Sequence, residues 1–345
     1  SYSRPHCAAA KSLLAEKPPE PGAPSVARPA QTLSVEIKEL IGFFDNPAKY
    51  YYKRVLGAEP RPVPDHLPAD TETFEPDSLE KWKVRSRLLE SFAEDETPEE
   101  RDFTLKEFVA DGTIPLGKWG EQWVKDLAAE VEFLLAQPVP PFGNLREAMM
   151  AQKTSAPREW VVPVDVDGVA VALSGSAPWI DGDRMLDFRC STFKGRRLFA
   201  SWLIHLLAAA AGERVTSFNV QGTSKLKITE LSPLASAAEA KKLLADYLRL
   251  FLFRHSPPLP ITPDAAWAYV ENLGGTESQH QAALESAGKV WDPGTAYVRG
   301  DNQDAYYAAY FGQAGPLAKE APFVDMAKMV MDPLWKHQMP GEAKA

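Results

Sequence analysis

An acid and a base stand two residues apart in Asp187-Phe188-Arg189, at the end of a strand-like run and just ahead of a long apolar helix. Residues i and i+2 of a strand share a face, so the two side chains point to one site. Metal-dependent nucleases use such a layout. Two or three carboxylates converge on a divalent cation, one from a middle strand and one from the next, and a lysine two residues beyond the second acid steadies the attacking water and the phosphate. Here Asp187 occupies the second acid position, and arginine stands at 189 in place of lysine. The first acid belongs near the end of the preceding strand, where the chain has Ala177-Pro178-Trp179. None of those side chains ligates a hard cation, and a lone Asp187 cannot supply the near-octahedral oxygen set that magnesium needs. The segment therefore reads as a nuclease layout without its cation site, with no metal, cofactor or catalytic residue expected. The plainer reading makes Asp187 an ordinary polar residue at a strand end.

Period-two alternation over residues 160–165, 169–176 and 185–190 predicts strands, and residues 194–211 predict a helix packed on them. A further strand pair, 214–220 and 225–229, is joined at Gln221-Gly222-Thr223. Residues 159–230 are thus expected to form one mixed sheet flanked by helices. Upstream the period is helical: Ser34 is positioned to cap a helix carrying Val35, Ile37, Leu40, Ile41 and Phe44, and Asn46-Pro47 starts another that stops at Gly57. A proline-rich loop over 60–76 and helices at 78–92, 97–110 and 117–136 follow; helices resume at 235–253 and, in shorter form, around Ala265, Gln281, Tyr306 and Met326. The expected division is a Pro/Ala-rich linker from an upstream domain of a longer polypeptide (1–32), a helical region (33–150) and a mixed α/β domain (151–345).

At 345 residues and 45% hydrophobic content the chain can bury real cores. Its two cysteines, Cys7 and Cys190, lie in unlike surroundings, which argues against a disulfide scaffold or zinc site and suits a reducing cytoplasm. The longest apolar run, 198–211, is too short to span a bilayer and contains His205. No phosphate-binding glycine loop or nucleophile elbow is present, so no ATPase is expected. A net charge of −9 sets the terms for nucleic acid, whose binding draws on phosphate neutralisation: any contact must come from local basic patches. Three stand out: Lys49 with Lys53 and Arg54, residues 81–87, and Lys194 with Arg196 and Arg197. Tyr50, Tyr51, Tyr52, Trp82 and Phe193 are interleaved with them and suited to stack on bases. Each patch also reads more plainly as the solvated face of an amphipathic helix. Lys225 and Lys227 give the second strand pair a basic face, expected either to project as a DNA-contacting hairpin or to guard a sheet edge.

Four segments carry a family resemblance: LIGFFDNPAKYYYKRVLG (40–57), LEKWKVRSRLL (79–89), GTIPLGKWG (112–120) and LFASWLIHL (198–206). In type and order they resemble the gamma-subunit family of exodeoxyribonuclease V, the RecC family. The resemblance implies a C-terminal region made of a helical connection followed by a degenerate, restriction-endonuclease-like nuclease domain. It also implies a non-catalytic part of a RecBCD-type complex, acting in double-strand break repair by homologous recombination through subunit assembly and engagement of a DNA end or fork. RecB-like and RecD-like subunits and DNA are the implied partners. Pro178, Asp187 and Arg189 mark the degenerate site, and Lys194, Arg196, Arg197, Lys225 and Lys227 are the candidate DNA contacts. Chi recognition belongs to upstream domains of the family and carries over to no residue here. An active nuclease of the RecB or AddB type is the rival; it needs an acid where Pro178 stands, a lysine at 189, and a glutamine and tyrosine on the following helix, where this chain has Trp202 and His205. A scaffold without DNA contact is the second alternative.

Overall fold

Alternation decides the first sheet. In β2 (Pro157–Val166) the side chains of Trp160, Val162, Val164 and Val166 are buried while those between them are exposed, the pattern of a strand with one face on a core. Asp167 and Gly168, at φ 53° and 83°, turn the chain back into β3 (Val169–Pro178), which pairs antiparallel with β2; two successive positive-φ residues match the twist of a tight hairpin. The computed structural model describes residues 33–60, 78–94, 96–178, 182–253, 257–295 and 299–339. The leader at 1–32, most of the proline-rich loop, Trp179, Asp181 and the side chain of Pro178 lie outside the described residues.

Ser34 does not cap a helix. It lies within β1 (Leu33–Glu36), which pairs in parallel with the other edge of β3, and α1 (Ile37–Asp45) begins only after it. Pairing of Val35 with Leu173 buries both, and that tertiary gain overrides the local capping preference. The sheet order is therefore β1-β3-β2. This also corrects the expectation of one sheet over 159–230. With β1 and β2 on its two edges, β3 has no edge left for the next strand, and β4 (Arg184–Arg189) starts a second sheet. That sheet runs β4-β5-β6, with β5 (Thr216–Gln221) parallel to β4 and antiparallel to β6 (Lys227–Leu231). The parallel pair is joined through α7 (Gly195–Ala210), as a parallel connection requires.

Between β1 and β2 in sequence, after α1, lie α2 (Pro47–Tyr50), continuing as a π-turn over Tyr51–Leu56, α3 (Ser78–Ala93), α4 (Pro98–Ala110), α5 (Gly117–Leu135) and α6 (Leu145–Thr154). After the second sheet come α8 (Ala237–Leu252), α9 (Pro263–Asn272), α10 (Glu277–Trp291), α11 (Ala305–Phe311) and α12 (Glu320–Lys336). The chain is thus mixed α/β. Its larger core gathers Leu40 and Phe44 of α1, Leu173 of β3, Trp202 and Leu206 of α7, Tyr247 of α8 and Phe323 of α12. The beginning of the described chain therefore packs with the late elements, although its sequence groups it with the upstream helices. A second core joins α3, α5 and α6 to Leu186, Phe218 and Val220 of the second sheet. No helix among the described residues is long and apolar enough to cross a membrane.

Candidate functional site

The second sheet has unlike faces because its strands alternate. Leu186, Phe218 and Val220 point into the helical core, while Asp187, Ser217, Asn219 and Gln221 meet α7. Asn219 and Gln221 are fully buried, so every polar atom there needs a partner. They find one another. Arg189 Nε donates to Asp187 Oδ1 (3.0 Å), Ser201 Oγ donates to Asp187 Oδ2 (2.6 Å), and Asn219 Nδ2 donates to Ser201 Oγ (2.8 Å). Gln221 Nε2 donates to Asn219 Oδ1 (2.7 Å), and Gln221 Oε1 accepts from the backbone N–H of Lys194 (2.9 Å) at the start of α7. A continuous hydrogen-bonded chain thus runs from β4 through α7 to β5 and back. It borders a cavity of about 150 Å³ lined by Asp187, Arg189, Ser201, Gln152, Ile204 and Phe218.

This donor set does not fit a catalytic cation. Asp187 is the one carboxylate of the β4–β5 pair, where magnesium needs several oxygen ligands, and the Arg189 guanidinium bonded to it sets a positive charge against an incoming cation. Among the described residues no group of three or more His, Cys, Asp or Glu side chains is arranged to hold a metal. Pro178 ends β3 opposite Pro157 and brings no carboxylate. Asp187 and Arg189 do share one face, as their spacing requires. Ser201, Asn219 and Gln221, which complete the arrangement, were not singled out by the sequence; the polar alternation of Ser217, Asn219 and Gln221 around Phe218 and Val220 was the available signal.

His205 lies one turn along α7 from Ser201. Its Nδ1 is 2.7 Å from Ser217 Oγ and its ring stacks on Trp202 (5.5 Å, 17°). Burial, and then the charge of nearby His337, push its pKa down to about 3, so the imidazole is neutral and serves packing. Cys190, at the end of β4, is equally unsuited to nucleophilic chemistry: burial raises its thiol to about 11.

The basic residues have particular partners. Lys194 Nζ and Arg196 Nε converge on Oδ2 of the buried Asp264 at 3.8 and 3.4 Å, and the Arg196 backbone N–H donates to Asp264 Oδ1 (3.0 Å). Arg197 is more loosely held, 3.9 Å from Asp45 Oδ1. Lys227 Nζ is 3.0 Å from Glu271 and sits 3.6 Å over the ring of Phe193. Lys225 is exposed, but in the loop before β6 and not on the strand with Lys227. That loop does not stand out from the body, because Gln137 bridges it: Nε2 donates to the carbonyl of Ser224 (2.5 Å) and Oε1 accepts from the N–H of Leu226 (3.0 Å). Around the first patch Tyr50 is buried and donates to Glu39 (2.8 Å), Tyr51 and Tyr52 pack against Tyr310 and Tyr306, and Lys53 pairs with Glu59 (2.8 Å).

The model of the RecC C-terminal domain family matches residues 32–274, a span holding both sheets and the whole Asp187 arrangement. The chain is similar to the RecBCD enzyme subunit RecC of Escherichia coli (strain K12), 22% identical over 319 residues, which cover 88% of this chain and 26% of the relative. It is also similar to the RecBCD enzyme subunit RecC of Mycolicibacterium smegmatis (26% over 285 residues; 79% of this chain, 24% of the relative) and of Haemophilus influenzae (20% over 223 residues; 62% and 18%). The chain spans about a quarter or less of the length of these relatives. A family match over most of the sequence, reaching from β1 beyond α9, makes the chain a member of the RecC C-terminal domain family.

Proposed function

We propose that this chain works as the non-catalytic C-terminal part of a RecC-type subunit in a RecBCD-type complex, in double-strand break repair by homologous recombination. Its nuclease-like core is degenerate: a former phosphodiesterase layout, now held shut by its own hydrogen bonds, serves assembly with RecB-like and RecD-like subunits and engagement of DNA at an end or fork. The observation that carries this reading is the double hydrogen bonding of Asp187 by Arg189 and Ser201, in a strand pair with no second acid. A lone carboxylate bonded to a guanidinium is a poor site for a divalent cation, which needs several oxygen ligands. Membership of the RecC C-terminal domain family and similarity to three RecBCD enzyme subunits support the complex as its setting. The rival reading, an active RecB- or AddB-type nuclease, needs an acid at 178 and a lysine at 189, where this chain has Pro178 and Arg189.

One co-expression experiment tests the reading. The chain, alone and with RecB-like and RecD-like subunits, is purified and incubated with single- and double-stranded DNA in magnesium or manganese. The expected result is a stable complex, and no cleavage by the chain alone. Cleavage by the chain that Asp187→Ala abolishes, or failure to assemble, would overturn it.

A further inference from the structure

Trp82 and the basic residues Lys194, Arg196 and Arg197, far apart in sequence, line the same groove. It has a volume of about 960 Å³ and runs between α3 and α6 on one side and the end of β4 and the start of α7 on the other. Its cations are Lys153, Arg189, Lys194, Arg196 and Arg197; its carboxylates are Glu90 and Glu94. The lining thus presents five cations and two carboxylates, while Asp187, Asp45 and Asp264, which pair with four of the cations, stand outside it. The five are not equivalent. Lys153 is paired with Glu94, while Lys194 and Arg196 are anchored on buried Asp264. Arg189 is bonded to Asp187 through Nε and Arg197 lies 3.9 Å from Asp45, so with side chains 59% and 48% exposed their remaining guanidinium N–H groups can meet a ligand while those pairs stay in place. Between these charges lie flat, apolar surfaces: Trp82, 48% exposed, with half-buried Phe188 and Met150.

Cations spaced along a trough with aromatic faces between them match a single nucleic-acid strand, whose phosphates seek the charges while its unpaired bases stack. A duplex keeps its base faces inside and offers Trp82 nothing to stack on. An acidic peptide would satisfy the arginines but not the aromatic faces. We infer that this groove binds a single-stranded segment of nucleic acid, Arg189 and Arg197 contacting phosphates and Trp82 lying against a base. The inference rests on the reading of this chain as a DNA-engaging subunit and gives that engagement a site. It also gives Arg189 a use: the position at which a nuclease needs a lysine keeps a phosphate contact without a metal.

Fluorescence anisotropy of labelled thymidine and uridine oligomers, titrated with the 345-residue chain across a salt series, tests this. Binding should weaken linearly in log–log form, and Arg189→Gln and Arg197→Gln should each reduce the salt slope by about 0.7. Trp82→Ala should weaken binding about fivefold or more at every salt concentration without changing the slope, and Trp82→Phe should restore most of it. Lys242→Gln, on exposed α8 surface away from the groove, should do neither. Thermal midpoints of all variants establish that each is folded, and comparison of the two oligomers separates DNA from RNA as the strand. Absent binding by the wild-type chain, an equal loss in Lys242→Gln, or preference for duplex would overturn the inference. So would groove variants that bind oligomers normally but no longer co-purify with partner subunits, since the groove would then be a protein contact. Failure of the wild-type chain to assemble counts against the proposed function alone, because the titration needs no partner.

Discussion

Asp187 illustrates how much residue type and spacing reveal and where they stop. Its pairing with Arg189 follows from an i, i+2 relation on a strand, and the missing first acid follows from the identity of Pro178. Ser201 could not be found in this way: it is one polar residue in an apolar helix, and only the register of β4, α7 and β5 brings it against Asp187 and Asn219. His205 carries a prediction at the same scale. Its folded pKa, held near 3 by burial and then by His337, lies below the value near 6.5 of an unfolded histidine. The folded state therefore binds fewer protons than the unfolded one between those values. The stabilisation this gives is fully present above about pH 6.5 and is lost as pH falls toward 3, at up to about 1.4 kcal/mol per pH unit. In urea unfolding from pH 7 to 4, His205→Gln should show a flatter decline than the wild type; parallel curves would mean that the ring is protonated in the folded state.

At the scale of elements, Gly175 shows a constraint that alternation does not carry. It sits at the middle of β3, where a Cβ would come 2.3 Å from Ile37 Cγ2 on α1 and 2.8 Å from Leu207 Cδ2 on α7. Two helices close over the strand at this point, and only a missing side chain admits them. Gly175→Ala should cost about 1–3 kcal/mol, read from the denaturant midpoint, because both helices must shift; a neutral effect would mean that the packing there is loose. The strands themselves were largely legible, since β2, β3, β4, β5 and β6 all announce themselves by alternation or by a turn between apolar runs. Their partners were not. β1 is four residues long and reads as a helix start through Ser34, yet by taking the second edge of β3 it decides that there are two sheets. Pairing across such a separation depends on which buried faces fit, and local propensity says little about that. The hairpin loop is a similar case: its lysines suggest projection, but Gln137, far back at the end of α5, holds it down.

The whole molecule turns on the sheet that both cores share. Phe218 belongs to the core of α3, α5 and α6, only 4% exposed and edge-on to Phe142 at 5.2 Å, while its neighbours Ser217 and Asn219 are bonded to α7 of the larger core. Shortening Phe218 to alanine should leave a cavity and cost about 3–5 kcal/mol. The consequence for cooperativity is more informative than the size of the loss. Because β5 carries both cores on its two faces, weakening one face loosens the register on which the other depends, and the two should unfold in one transition. Hydrogen exchange makes this measurable: in Phe218→Ala the amides of α5 and α7 should lose protection together and by similar free energies. Loss confined to α3, α5 and α6, with α7 and α8 still protected, would instead make the upstream helices a separate folding unit, with its boundary near residue 150 as the sequence suggests.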